Sequence, residues 1–202
     1  MSKPDSADDS RPWILGLAGS RRQGSNSSML LEAALEGAAA AGARTENVRI
    51  WDLNIGYCRA CGGCRATGHC VLDDDMKALA QKLRTCDHLI LATPVYFLGP
   101  PAPVKAIIDR CQQFWEERYE LGRPPVHDKE TSRALLIAAA ATTGPNVFQP
   151  IRRIVGAFFA LLGFQIIDPV FAEGLEEAGT VAARPDYLDR AREAGVMLVK
   201  GS

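Results

Sequence analysis

Short apolar runs alternate along this chain with longer segments in which apolar residues recur every three to four positions. The first run, WILGL at 13–17, has the length and composition of a buried strand. The next segment places its apolar residues on one helical face: Leu30, Leu31, Ala34, Leu35 and Ala38. Strand patterns recur at 44–50, 88–93, 133–141 and 165–172, and helical patterns at about 73–84, 102–119, 147–162 and 182–200. This alternation predicts an α/β fold with a five-stranded, doubly wound parallel sheet.

The loops at the carboxyl ends of these strands are the predicted ligand site, because doubly wound sheets bind their ligands there. Three such loops, 19–27, 94–99 and 141–146, are rich in glycine, proline or hydroxyl residues. In the first loop, Ser25, Asn26 and Ser27 stand where helix N-caps belong. Free backbone N–H groups and a positive helix end would therefore meet at one point, which indicates an anion site. A polar turn that binds nothing is the alternative.

The kind of anion follows from what this loop lacks. Gly19 and Gly24 have the spacing of a triphosphate-binding loop, but Ser25 and Asn26 replace its Lys-Ser/Thr pair, and the chain has no G-x-G-x-x-G motif. The hydroxyls, the N–H donors and two nearby arginines suit a single terminal phosphate. Together with the two other flat loops, this favours a phosphorylated planar ligand such as flavin mononucleotide (FMN).

Composition excludes some classes of partner. The 202 residues are 47% hydrophobic and 23% charged, and the formal net charge of −1 gives no attraction to nucleic acid or to an anionic membrane. No apolar run approaches ~20 residues, so no membrane span is predicted. Residues 1–12 lack the apolar core of a signal peptide and are predicted to be a disordered tail. The protein is therefore expected in the cytoplasm, where cysteines stay reduced.

Four cysteines within thirteen residues have the spacing C-x2-C-x2-C-x5-C: Cys58, Cys61, Cys64 and Cys70. Four thiolates at this spacing form an S4 donor set, which suits an iron–sulfur cluster. They lie in a cysteine-rich insertion at about 52–72. Zinc, a redox dithiol and free thiols are the alternatives.

The remaining polar and cysteine residues near this insertion are expected to have structural roles. The acidic run 73–75 is predicted to cap the helix that follows it. Cys86 stands alone before a strand and Cys111 stands alone in an amphipathic helix, and both are predicted to pack in the core. Glu116 and Glu117 are expected on the solvated face of a helix.

Three stretches together resemble a known family: 17–28, the segment TPVYFLGPPAPVKAIIDR at 93–110, and the cysteine run with its following DDDM. They are similar to the iron–sulfur flavoprotein branch of the NADPH-dependent FMN reductases, which have a three-layer, flavodoxin-like fold. The resemblance extends over nearly all of the chain beyond the tail. It implies one FMN-binding domain at 13–202, a 4Fe–4S cluster on the four cysteines, and a homodimer or homotetramer.

The resemblance also implies which residues hold FMN. The phosphate and ribityl end would contact Ser20, Arg21, Ser25, Asn26 and Ser27. The isoalloxazine ring would be lined by Pro94, Val95, Tyr96 and Phe97, with Thr142, Thr143 and Gly144 at its other edge. Tyr96 is the candidate for packing against the ring or guiding substrate, with a structural role in its loop as the alternative.

No Ser/His/Asp set and no pair of catalytic acids is visible, so catalysis would belong to the cofactor. The predicted function is an FMN-dependent oxidoreductase that passes electrons between NAD(P)H or ferredoxin, FMN and a small organic or quinone-like substrate. One alternative is an electron carrier with no substrate of its own, although such carriers are usually strongly acidic. Another is a dedicated FMN/iron–sulfur dehydrogenase in a biosynthetic pathway.

Overall fold

A computed structural model describes residues 10–201 of the chain. Residues 1–9 of the predicted disordered tail lie outside this range. The described residues form six strands: β1 (Trp13–Ala18), β2 (Arg44–Arg49), β3 (His88–Pro94), β4 (Arg133–Ala139), β5 (Gln165–Ile166) and β6 (Val170–Ala172). The same part of the chain forms six α-helices: α1 (Asn26–Ala40), α2 (Met76–Thr85), α3 (Ala102–Arg110), α4 (Gln112–Trp115), α5 (Gln149–Leu162) and α6 (Pro185–Lys200).

The strands form one parallel sheet in the order β2-β1-β3-β4-β5, with β6 also paired to β4. The predicted fifth strand is therefore two short pieces that share one position in the sheet. Pro169 lies between the two pieces and has no N–H to donate to β4, which accounts for the break. The order reverses between β1 and β3, as in flavodoxin-like sheets, and confirms the predicted doubly wound fold.

Apolar residues bury both faces of the sheet. Helices α1 and α6 cover one face, with Leu30, Leu31 and Leu198 fully buried. Helices α2, α3 and α5 cover the other. Cys86 and Cys111 lie in this second core, as predicted, and burial raises the pKa of both thiols. Among the helices of residues 10–201, none is long and apolar enough to cross a membrane.

The single helix predicted at 102–119 is wrong in detail. The segment divides into α3, α4 and a π-helical turn, Glu116–Glu120, with a break at Cys111. Glu116 and Glu117 are the first two residues of this turn and are buried, at 4% and 7% exposure. The expectation that they lie on a solvated face is therefore also wrong, and Glu117 is paired with Arg84 and Arg123 instead.

Candidate functional site

A cleft opens where the loops after β1, β3 and β4 meet at the carboxyl edge of the sheet. Its volume is about 290 Å³, and the segment 175–178 forms one of its borders. Seven of the residues assigned to FMN from the sequence line it: Ser20, Ser25, Asn26, Ser27, Pro94, Val95 and Tyr96. The other five belong to the same loops but are not among the described residues that line its walls: Arg21, Phe97, Thr142, Thr143 and Gly144.

The loop after β1 presents buried hydroxyls at the start of α1. Ser20, Ser25 and Ser27 are each less than 9% exposed although they face the cleft. Ser25 is the N-cap: its Oγ accepts a hydrogen bond from the Ser28 N–H at 3.3 Å and lies 2.9 Å from the Ser28 hydroxyl. The N–H groups of Asn26 and Ser27 begin the helix, so they have no carbonyl in a preceding turn. Such a helix end favours an anion.

Asn26 ties this loop to the opposite border of the cleft. Its Nδ2 donates to the carbonyls of Glu177 at 2.8 Å and Leu175 at 3.3 Å. Its Oδ1 accepts from the Val181 N–H at 3.0 Å and from the Thr180 hydroxyl at 3.5 Å. The carboxamide is thus occupied by the protein itself, and only the backbone N–H of Asn26 is left for a ligand.

The loop is held close to the sheet by Gly19. A Cβ on this residue would lie 2.7 Å from Val104 Cγ2 and 2.9 Å from the Ala92 carbonyl oxygen, so a larger side chain cannot fit there. The Gly19 carbonyl accepts a hydrogen bond from Trp51 Nε1 at 2.9 Å, and the exposed Arg21 guanidinium lies 5.9 Å from the Trp51 ring. Arg22 is exposed as well and lines the cleft.

The loop after β3 forms a tight turn that carries large apolar side chains outward. The Tyr96 and Gly99 backbones exchange two hydrogen bonds, of 2.8 and 2.9 Å. Phe97 and Leu98, between them, both have positive φ values, of 48° and 65°, which L-residues seldom adopt. Phe97 is fully exposed and Tyr96 is half exposed beside the cleft.

The loop after β4 is open to solvent. Thr142 and Thr143 are exposed, and the Gly144 N–H donates to Glu173 Oε2 at 3.1 Å. The walls of the cleft on this side are formed by Ala139 and Ala141.

A second cavity, of about 190 Å³, lies in the segment between β2 and α2. All four cysteines of the motif line it, together with Arg110, Gln113 and Glu116. Burial is the largest cause that raises the pKa of Cys64, and the charges of Glu116, Cys70 and Cys58 act in the same direction. Within residues 10–201, no group of three or more His, Cys, Asp or Glu side chains is arranged to hold a single metal ion.

A buried ion pair fixes one side of this cysteine loop. Arg110, only 1% exposed, forms a bidentate pair with Asp74 at 2.6 and 2.9 Å, and its Nη1 also donates to the Gly56 carbonyl at 2.9 Å. The hydrogen bond from Arg110 is the largest cause that holds the pKa of Asp74 below its usual value. Asp74 Oδ1 also accepts from the Met76 N–H at 3.1 Å, so helix capping is only part of its role.

The other side of the loop is held by Glu117. It pairs with Arg84 at 2.7 Å and with Arg123 at 3.0 Å, and these arginines donate to the Gly68 and Thr67 carbonyls at 3.4 and 3.3 Å. Gly68 has φ +76°, and a Cβ there would collide with the Glu117 side chain. The cysteine loop is therefore fixed to the core at both ends.

Comparison with known proteins identifies the family of this chain. The sequence profile described as NADPH-dependent FMN reductase matches residues 12–154, which include the cysteine loop and the loops after β1, β3 and β4. The chain belongs to the NADPH-dependent FMN reductase family.

Curated relatives indicate which branch of this family the chain resembles. An iron–sulfur flavoprotein of Methanosarcina thermophila is 43% identical over 97 residues, which are 48% of this chain and 51% of that protein. Another, from Archaeoglobus fulgidus, is 43% identical over 96 residues, 48% of this chain and 44% of the relative. These relatives support the iron–sulfur flavoprotein branch that the motifs predicted. The matched region spans about half the length of these relatives.

Solved structures of FMN reductase-like proteins share the fold. An NAD(P)H:quinone oxidoreductase from Methanothermobacter marburgensis superposes with a TM-score of 0.70 at 21% identity, covering 93% of this chain and 96% of that one. An FMN-dependent NADH-azoreductase from Bacillus anthracis, solved with FMN, gives a TM-score of 0.71 at 15% identity, covering 94% and 100%. At these identities the likeness is evidence for the fold alone.

Three residues that line the cysteine cavity, Arg110, Gln113 and Glu116, were not assigned to a site from the sequence. The pairing of Asp74 with Arg110 was missed as well. Arg110 Nε and Glu116 Oε2 are buried and have no hydrogen-bond partner among the described residues. The sequence feature that could have revealed the pair of Arg110 and Asp74 is the arginine at the end of KAIIDR, in an apolar helix. An arginine on a buried helical face needs an acidic partner, and the run 73–75 could supply one.

Proposed function

We propose that this chain is an FMN-dependent oxidoreductase of the iron–sulfur flavoprotein type. It would pass electrons between NAD(P)H or ferredoxin, FMN and a small organic or quinone-like substrate. The observation that carries this proposal is the cleft: the buried hydroxyls at the start of α1 and the loop 94–96 line the same space. That arrangement suits a ligand with a phosphate at one end and a flat ring at the other.

The residues of the cleft fit FMN. The hydroxyls of Ser20, Ser25 and Ser27 and the first N–H groups of α1 would bind the phosphate, with Arg22 adding positive charge. Pro94, Val95 and Tyr96 would shelter one side of the ring. When bound, FMN would supply hydride and electron transfer, while the protein holds it in place and excludes water.

A 4Fe–4S cluster in the cysteine cavity is part of this proposal, and the donor set there supports it. Four thiols line one space, beside a buried guanidinium that would offset the negative charge of a thiolate-bound cluster. The cluster would supply single-electron exchange with outside carriers. The ion pairs at both ends of the loop would keep the four thiols at fixed positions.

We further propose a homodimer or homotetramer that is located in the cytoplasm. The side chain of Phe97 is fully exposed at the tip of a turn whose backbone is in a disfavoured conformation. A turn of this kind is expected where an apolar tip packs against a second subunit or a substrate.

The test is an absorption spectrum of anaerobically purified protein, with assays of FMN, iron, sulfide and zinc per chain. The proposal predicts flavin bands, a broad shoulder near ~400 nm that dithionite bleaches, and iron and sulfide in equal amounts. About one zinc per chain without sulfide would contradict the cluster. Steady NAD(P)H oxidation with a quinone or dye would distinguish an enzyme from a carrier that only exchanges electrons with ferredoxin.

A further inference from the structure

Arg110 has an unusual position in the wall of the cysteine cavity. Its side chain is 1% exposed, and both terminal nitrogens are used: Nη1 and Nη2 bind Asp74, and Nη1 also binds the Gly56 carbonyl. The remaining donor, Nε–H, is buried and has no acceptor among residues 10–201. Buried donors are nearly always hydrogen-bonded, so the missing acceptor of this one is expected among the groups that line the same cavity.

The geometry identifies where that acceptor lies. Arg110 lines the same cavity as the four cysteines. Cys70 and the Arg110 side chain therefore border one space. The Cys70 N–H donates to Gln113 Oε1 at 3.4 Å, and Gln113 Nε2 donates to the Arg110 carbonyl at 3.2 Å. The backbones of Cys70 and Arg110 are thus linked through Gln113.

We propose that Arg110 is a positioning residue for the cluster and donates its Nε–H to the thiolate sulfur of Cys70. This inference rests on the proposed function, since it needs a cluster on the four cysteines. A charge-assisted hydrogen bond to a ligating sulfur stabilises the more negative, reduced state of a cluster and raises its reduction potential. In the reduction the cluster gains one electron from an external donor such as dithionite, and Arg110 keeps its proton throughout. Asp74 holds the guanidinium in the orientation that aims Nε at the cavity.

The variant Arg110→Lys isolates this one donor. In lysine a CH₂ group replaces Nε–H, while the ammonium that follows it keeps a positive charge for Asp74. Arg84→Lys is the matched control, because Arg84 holds the same loop from its other end, through Glu117 and the Gly68 carbonyl. Both substitutions loosen the loop, but only the first removes a donor from the thiol cavity.

The experiment is a redox titration of the cluster in the purified holoprotein, followed by visible absorbance and by electron paramagnetic resonance, with iron and sulfide measured first. For Arg110→Lys, the ratio of reduced to oxidised cluster at a fixed potential is expected to fall at least tenfold, which is a shift of about 59 mV to lower potential for one electron. Arg84→Lys should keep the wild-type potential even if its melting temperature falls.

Equal potentials in wild type, Arg110→Lys and Arg84→Lys would overturn the assignment and leave Arg110 a purely structural ion-pair partner. If Arg110→Lys does not fold, the titration is made on Asp74→Asn/Arg110→Met, in which both buried charges are removed together with the donor, and the same two outcomes decide. Wild-type protein without iron and sulfide would contradict the proposed function itself, whereas a loaded wild type with an unshifted variant contradicts only the role of Arg110.

Discussion

Replacing Asn26 tests how the cleft is held together. Its carboxamide, 6% exposed, makes four hydrogen bonds to the segment 175–181. Two of them are short: 2.8 Å to the Glu177 carbonyl and 3.0 Å from the Val181 N–H. In Asn26→Ala, the groups on the other side lose their partners, and each buried group left unsatisfied costs about 1–3 kcal/mol. We therefore expect the free energy of unfolding to fall by about 2–6 kcal/mol, counting the two short bonds.

The variant Asn26→Asp separates the two halves of this contact. Aspartate keeps the acceptor for the Val181 N–H but loses the donors to Leu175 and Glu177. Hydrogen exchange, followed by mass spectrometry or NMR, measures the protection of the backbone amides in the segment 175–181 directly. The Val181 amide should exchange faster in Asn26→Ala and stay protected in Asn26→Asp. Both variants should bind FMN more weakly, by roughly tenfold or more, because the segment 175–178 would no longer close the cleft.

Two results would refute this reasoning. One is a loss of less than ~1 kcal/mol in urea denaturation of Asn26→Ala, which would mean that water satisfies the released groups. The other is unchanged protection of the Val181 amide in Asn26→Ala, which would mean that the contact does not hold the segment.

Three further perturbations follow from the structure. Burial lowers the pKa of His88 to about 4, so between pH 6.5 and 4 the unfolded chain binds a proton at His88 that the folded chain does not bind. The free energy of unfolding should therefore fall by about 3 kcal/mol over this pH range. His88→Asn should remove this contribution to the pH dependence. Phe97→Asn/Leu98→Gly should stabilise the monomer by about 1–2 kcal/mol in urea denaturation, because both residues occupy left-handed backbone. Gly68→Ala should lower the iron content of purified protein, because its methyl group would collide with Glu117.

A different result would contradict each of these three predictions. A pH slope that is the same in wild type and His88→Asn would assign the acid sensitivity to other groups. A less stable Phe97→Asn/Leu98→Gly protein at monomeric concentrations would show that the turn carries no strain. Gly62→Ala is the control for Gly68→Ala, because Gly62 has the similar φ of 70° but its added Cβ would lie 3.6 Å from the nearest atoms, in Arg65. Equal iron loss in both variants would mean that backbone strain alone is responsible.

Local patterns were sufficient for the sheet and for the loop after β1. A buried strand, a hydroxyl-rich turn and an amphipathic helix are encoded within about thirty consecutive residues. The order of residue types therefore places the N-cap among Ser25, Asn26 and Ser27, and the structure has it at Ser25. The meeting of the three loops followed from the parallel sheet, whose carboxyl ends lie at one edge.

Long-range pairs could not be predicted in the same way. Asp74 and Arg110 are 36 residues apart, and no short-range pattern joins them. Glu117 is buried with Arg84, which lies 33 residues earlier in the chain, and a helical pattern carries no information about such a partner. The hydrogen bonds of the Asn26 side chain form with the segment 175–181, about 150 residues later in the chain, so no local pattern predicts them. The assignments of Arg21, Thr142 and the other cofactor residues stay predictions.

The most direct test of the central claim is the affinity of the deflavinated protein for FMN, measured by quenching of flavin fluorescence. Wild type should bind one FMN per chain, whereas Ser25→Glu/Ser27→Glu should bind at least a hundredfold more weakly, roughly 3 kcal/mol, because two carboxylates would face the phosphate. Ser25→Gln/Ser27→Gln, which has the same bulk and loses the same cap without the charge, should keep a larger share of the affinity. Equal affinity of wild type and the glutamate variant would contradict the claim that the start of α1 binds the phosphate.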